Sequence, residues 1–321
     1  MANTNLHKAK DAKKDEFYTQ LVDIEKELVH YETHFKDKII YCNCDNSEFS
    51  SFWEYFHLNF SRLGLEKLIS THYDPNNPVY KTEYTGGDDG NIHSGVKIRL
   101  KDNGDFGSQE CIDLLDKSDI IVTNLPFSLF KEFLSLLVSH DKKFIIIGNV
   151  NAISYKETFH YIKNNKIWLG YGGNCTMTFR MPDDYELRGS AFVGKDGHKY
   201  IKMVSCAWYT KLDIQKIHKD IDLWKTYNSE DFPRYDNYDA INVRKTSEIP
   251  CDYYEEMGVP ISFLNFYNPS QFEIIGLLID YKGEDFIQGA PVYTDEKHKH
   301  STCAVLNGKR QYAKILIKRK I

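Results

Sequence analysis

Between residues 39 and 150 short apolar runs alternate with amphipathic stretches, and nothing else in the chain narrows its fold so far. The apolar runs lie at 39–42, 65–74, 96–106, 118–124 and 142–150, and the stretches at 49–64, 108–118 and 127–141 carry apolar residues at helical spacing. Strands joined through helices run parallel, because the crossover returns the chain to the same end of the sheet. Such a sheet needs helices over both faces. The expected fold class is therefore α/β, with a doubly wound, mostly parallel sheet. Ligands on sheets of this kind bind beyond the carboxyl ends of strands, where the strand order reverses. The first candidates for a site thus follow the first, third and fourth strands: Asn43 and Asp45, Asp105 and Phe106, and Asn124 through Phe127.

The rest of the chain is read more coarsely. Residues 5–35 form a polar arm leading into an amphipathic helix, with Leu21, Ile24, Leu28 and Tyr31 on one face. The glycines at 85–95 mark a loop. Beyond about residue 180 the periodicity blurs into turn-like stretches and short apolar runs, and the closing KRQYAKILIKRK alternates like a strand. Two domains are expected, 1–180 and 181–321, the second of mixed or irregular structure.

The net charge is −5, which excludes a generally basic nucleic-acid coat protein, but the charge is unevenly spread. From Lys297 to Ile321 there is no acidic residue, and Lys8, Lys10, Lys13 and Lys14 cluster near the start. Two basic ends on an acidic chain suit local contacts to phosphate. The seven cysteines follow no signal-like segment, and no apolar run approaches 18 residues, so a cytoplasmic protein with reduced thiols is expected and no membrane association. Cys42 and Cys44 have no second Cys or His pair at metal-site spacing, and no metal is expected. The G-x-G-x-x-G pattern of dinucleotide enzymes is absent, which argues against a nicotinamide or flavin oxidoreductase.

The stretch Asn124-Leu125-Pro126-Phe127 carries the most chemistry. An exocyclic amine is a poor nucleophile, because its lone pair is delocalised into the ring. Accepting both of its N–H hydrogens favours a tetrahedral nitrogen, and that takes two acceptors about 3 Å away. Asn124 offers a side-chain carbonyl and Leu125 a main-chain one. Pro126 restricts Leu125 to extended backbone, which aims that carbonyl. Phe127 offers a flat face for a base drawn out of a duplex. An Asn/Asp-Pro-Pro-aromatic tetrapeptide after a strand marks amino-methyltransferases; here Leu replaces the first proline.

Taken together, DEFYTQ (15–20), YCNCD (41–45), TNLPFSLFKE (123–132), FIIIGNVNAISYKE (144–157), KIWLG (166–170), RYDNYDAINV (234–243) and MGVPISFL (257–264) resemble the EcoRI-type adenine methyltransferases, in the same order and over nearly the whole chain. The resemblance implies a methyltransferase-type sheet, S-adenosylmethionine as sole cofactor, and transfer to the N6 of an adenine within a short site of double-stranded DNA. It places Asn124, Leu125, Pro126 and Phe127 in catalysis. Phe17, Tyr18, Thr19, Asn43, Asp45, Asp105 and Phe106 fall on the cofactor side, the Asp-Phe pair against the cofactor's adenine. Phe179 is a candidate second aromatic for the flipped base. The second module is expected to recognise the target, with Asn237, Asp239, Asn242 and Arg244 of types that read base edges in the major groove. A companion restriction endonuclease is a possible partner. The alternatives are a methyltransferase for a protein glutamine amide or an RNA base, and a DNA-binding protein whose site has decayed.

Overall fold

The computed structural model describes residues 18–182, 185–187, 189–279 and 302–321. In chain order its principal elements are β1 (Tyr18–Thr19), α1 (Leu21–Leu28), β2 (Ile39–Cys42), α2 (Ser51–Leu58), α3 (Phe60–Leu63), β3 (Lys67–Ser70), β4 (Tyr80–Tyr84), β5 (Val96–Arg99), α4 (Gln109–Lys117), β6 (Ile120–Asn124), α5 (Phe130–Ser139) and β7 (Lys143–Asn149). They continue with α6 (Lys156–Lys163), β8 (Trp168–Arg180), β9 (Ala191–Val193), β10 (Lys199–Thr210), β11 (Ile241–Asn242), β12 (Met257–Pro260), β13 (Phe272–Leu278), β14 (Val305–Leu306), β15 (Lys309–Arg310) and β16 (Lys314–Arg319). The chain divides into two compact units, 1–152 with 169–212, and 153–168 with 213–321.

The first unit holds a large sheet in the order β1-β8-β10-β7-β6-β2-β3-β4-β5, with β9 paired to β10 off that path. Its centre, β7-β6-β2-β3, is parallel throughout. These are the strands whose apolar runs are nearly unbroken, as burial on both faces demands; the five residues from Phe144 to Gly148 are all buried. The flanks are antiparallel: β4 on β3, β5 on β4, β10 on β7 and β1 on β8.

Two expectations change. The run 96–106 does not form a third parallel strand. Only Val96–Arg99 is extended, as the exposed outer strand of a hairpin whose inner strand, β4, carries the mixed polar sequence YKTEY. The domain boundary expected at 180 falls inside the first unit, which runs on to residue 212 because β10 pairs with the parallel core through Cys206 to Thr210.

In the second unit β11-β12-β16-β13 form a four-stranded sheet, and β14 pairs with β15. The alternating C-terminal run is indeed a strand, but β16 lies between β12 and β13, with Lys314 through Ile317 buried.

A buried carboxylate fixes α1 to the sheet edge. Glu27, 2% exposed, accepts the amides of Tyr171 and Gly172 at 2.7 and 2.6 Å and the hydroxyl of Tyr31 at 2.7 Å. A methyl group on Gly170 would meet Glu27 Oε1 at 2.3 Å, so a glycine is required where the carboxylate approaches the strand. Glu27→Ala strands these donors, each of which costs roughly 1–3 kcal/mol when buried without a partner. Urea unfolding should show a loss of about 3–5 kcal/mol; a loss below about 1 kcal/mol would show that the carboxylate holds nothing.

Candidate active site

The chain lays down β2, moves outward to β3, β4 and β5, and returns to the other side of β2 as β6. Strand order therefore reverses between β2 and β6, and their carboxyl ends leave a gap where a ligand fits. A cavity of about 190 Å³ opens there. Tyr18 and Thr19 of β1 line it, with Cys44, Asp45 and Asn46 after β2, Phe49 through Phe52 at the start of α2, His72, Tyr73 and Asp74 after β3, and Asn124 and Leu125 after β6.

Asp45 joins these elements. Its carboxylate accepts Ser50 Oγ at 2.6 Å, Thr123 Oγ1 at 2.5 Å and the main-chain N–H of Asn124. Ser50 in turn caps α2, accepting the amides of Phe52 and Trp53. The Asp45 backbone is also held, its N–H donating to Thr71 O at 2.9 Å and its carbonyl accepting Ser70 Oγ. One acid thus sets the end of β2 against the first turn of α2 and against the residue that opens the NLPF segment. The expectation that Asp45 faces the cofactor is modified accordingly: it borders the cavity, but its carboxylate is engaged by the protein.

Of the other expected residues, Tyr18, Thr19, Asn124 and Leu125 line the same cavity. Thr19 Oγ1 is buried with no hydrogen-bond partner among the described residues. Asn124 Oδ1 is buried too, and the Leu125 side chain is 2% exposed. Phe127 meets Phe179 edge to face, ring centroids 6.1 Å apart, and Phe179 is fully buried on β8 opposite Thr19. Asn43 lies deeper, 1% exposed, with Oδ1 accepting the Cys44 thiol at 3.8 Å. Asp105 and Phe106 do not line this cavity. Asp105 Oδ1 closes a turn on the Gly107 amide at 2.8 Å, and Phe106 packs edge-on against Phe133 at 5.1 Å. Phe17 lies outside the described residues, as do Lys8, Lys10, Lys13, Lys14, Lys297 and Lys299.

Asn46, Phe49, His72, Tyr73 and Asp74 were not singled out from the sequence. Asp74 carried a usable signal, an acid just past the second apolar run. Its carboxylate accepts the amides of Asn76 and Asn77 at 2.9 and 3.1 Å. Among the described residues no group of three or more His, Cys, Asp or Glu is placed to hold a metal ion. No described helix is long and apolar enough to cross a membrane.

In the second unit the residues expected to read bases mostly hold the fold. Asn237 donates to Cys303 O at 2.8 Å and accepts the Val305 amide at 2.9 Å. Asn242, 3% exposed, accepts Tyr235 Oη at 2.9 Å. Asp239 is exposed and pairs with Arg234. Arg244 is exposed. The motif is turn chemistry: its tyrosines are buried and its polar side chains pin the segment that carries β14 and β15.

Burial pushes the Asp45 carboxyl up to about 6, while Ser50, Thr123 and the Asn124 amide pull it down. Because this acid lies above its ordinary 3.8, the folded state binds more protons than the unfolded chain between about pH 4 and 6. Its ionisation therefore subtracts from stability as pH rises through that window, by on the order of 1–3 kcal/mol. Asp45→Asn removes the titration. The stability of the native protein relative to this variant should fall by about that amount from roughly pH 4.5 to 7.5 in urea unfolding; a flat or rising difference would contradict the buried carboxylate.

With this geometry in place, comparison with known proteins is informative. The family described as adenine-specific methyltransferase EcoRI matches residues 5–320. The type II methyltransferase M.EcoRI of Escherichia coli is 46% identical, over 99% of this chain and 97% of its own length. M.MgeORF184P of Mycoplasma genitalium is 38% identical and M.MpnI of Mycoplasma pneumoniae 36%, each over 98% of both chains. No solved structure matches the chain. A match from one end of the chain to the other, with Asn124 and Leu125 at the reversal point of the sheet, settles the assignment: the chain belongs to the EcoRI family of adenine-specific methyltransferases.

Proposed function

We propose that the protein transfers a methyl group from S-adenosylmethionine to the N6 of an adenine turned out of double-stranded DNA at a short specific sequence. The observation that carries this reading is the meeting of Asn124 and Leu125 with Thr19 and Asp45 around one cavity at the switch point. The lining suits the cofactor. It offers the Asp74 carboxylate for ribose hydroxyls, exposed Phe49 as a ring face for its adenine, and the unpartnered Thr19 hydroxyl. S-adenosylmethionine, when bound, supplies a methyl group on a positively charged sulfur.

The chain's own residues do the rest. The Asn124 amide oxygen and the Leu125 carbonyl accept the two hydrogens of the adenine amine, drawing its lone pair out of conjugation. Asn124 Oδ1 is buried here, so meeting the amine takes a turn of that side chain, while its backbone stays tied to Asp45. The Leu-for-Pro replacement leaves the required carbonyl intact, because Pro126 still restricts residue 125. Half-buried Phe127 is the face offered to an unstacked base, with buried Phe179 packed edge-on behind it; extrusion costs a few kcal/mol, which stacking offsets. The 213–321 portion reads the target in this proposal, with Arg244 the best placed of the residues first nominated. The type II relatives fit a cytoplasmic partner endonuclease with the same target.

Asn124→Ala should lower the transfer of labelled methyl to duplex DNA by at least about 100-fold, as expected for removal of one preorganised polar group, with cofactor affinity in calorimetry within a few-fold of native. Label appearing in protein or RNA but not in duplex DNA would overturn the proposal. A second titration reports on Asp45: methyl transfer should fall below about pH 6. A protonated carboxyl gives up an acceptor, and Asp45→Asn should lack that acidic limb.

A further inference from the structure

Strand β10 changes character along its length. From Cys206 to Thr210 it is buried and paired with β7, whereas from Lys199 to Ile201 it pairs with β9. In that outer part Phe192, Val193 and Val204 are 45%, 52% and 71% exposed, and Lys195 and Lys202 are exposed beside them. The β9–β10 hairpin thus forms one corner of the sheet, next to β8, with apolar and cationic side chains facing water.

Its tip is built rather than loose. The Gly194 amide donates to His198 O at 2.8 Å, and Tyr200 Oη donates to Asp196 at 2.5 Å. Phe192 stacks on Tyr200 at 5.7 Å, and a methyl group on Gly194 would meet the Tyr200 ring at 2.6 Å. Near its turn the ribbon lies beside the end of β8. The Met181 amide donates to Lys199 O at 2.8 Å, and Arg180 lies 3.1 Å from His198 Nδ1. Phe179, which faces Phe127, is the residue before Arg180.

We propose that the β9–β10 ribbon is a DNA-contacting element that enters the major groove beside the extruded adenine. It rests on the proposed function for the adenine, but not for the duplex contact. B-DNA's major groove is about 12 Å wide and admits a two-stranded ribbon. Within residues 191–204 there are three lysines against one acid, in a chain of net charge −5, so the ribbon is locally complementary to phosphate. The acid, Asp196, is engaged by Tyr200. Lys195 and Lys202 then meet the backbone, and Phe192 and Val193 supply apolar contact to thymine methyls or base edges.

The test measures DNA binding by fluorescence anisotropy over a range of salt. The duplex carries the sequence found by mapping methylated adenines in DNA from expressing cells, with a scrambled duplex beside it. For Lys195→Glu/Lys202→Glu, the affinity for both duplexes should drop at least about tenfold, and the slope of log K against log salt should become shallower by nearly two, about 0.9 for each lost phosphate contact. For Phe192→Ser, affinity for the target should fall more than affinity for the scrambled duplex. Cofactor affinity within twofold of native certifies that each variant is folded. Native affinity and native salt slope in the double charge reversal would overturn the inference, as would a native protein whose ribbon mediates self-association that the variants abolish. Because the readout is binding and not methyl transfer, failure of the ribbon is distinguishable from failure of the methyltransferase reading.

Discussion

A carboxylate with almost no access to water is expensive to ionise, and Asp45 is held in that state at the centre of the site. What offsets the burial is a set of donors drawn from two separate elements: Ser50 at the cap of α2, and Thr123 with the amide of Asn124 at the end of β6. Their shared acceptor draws them to one point, alongside the β2–β6 pairing and the bond from the Cys44 amide to Thr123 Oγ1. The geometry of the NLPF segment is therefore inherited from β2, four strands earlier in sequence order but adjacent in the sheet. The absence of a glycine-rich turn after β2 fits this arrangement. YCNCDN needs side chains there, since the turn is organised by a carboxylate and not by a close backbone approach to a ligand.

The second unit shows how little the chemical type of a residue says about its orientation. Asn237 and Asn242 have the right groups for reading bases, yet both are used inside the fold. The basic C-terminus behaves likewise. Lys314 sits in the central strand of its sheet and donates to Val243 O at 2.8 Å, and burial, with Arg244 nearby, pushes it down to about 8. Arg319 lies over the Tyr254 ring at 4.8 Å and bonds Cys251 O, and Lys320 donates to Pro269 O at 2.7 Å. A run of positive charge in the sequence is here largely a set of ties between loops and strands.

The first unit, by contrast, gathers exposed cations where the sequence shows no conspicuous cluster. Lys195 and Lys202 are separated by six residues, Asp196 through Ile201, and a linear count dilutes them. The hairpin puts Lys195 in its turn and Lys202 at the far end of its paired stretch, beside Ser190, so the two cations are spread along one ribbon. The same strand that closes the core through Ala207 and Trp208 also carries this surface, so core and surface share one rigid support.

The sequence alone determined the parallel core, because IIYC, KLIS, IIVTN and KFIIIGN are apolar enough to require cover on both faces. It also determined the family, since that depends on residue identity and order. It did not determine the β4–β5 hairpin, because VKIR reads as a core strand until its neighbours are known, and YKTEY does not read as one. Nor did it show that Asp45 serves Asn124, that Asp105 faces a local turn, or that the first unit extends to residue 212. The reach of the first unit and the bond from Asp45 to Asn124 depend on which strands are hydrogen-bonded side by side. That pairing is a long-range choice made by the whole sheet, and no window of sequence contains both partners.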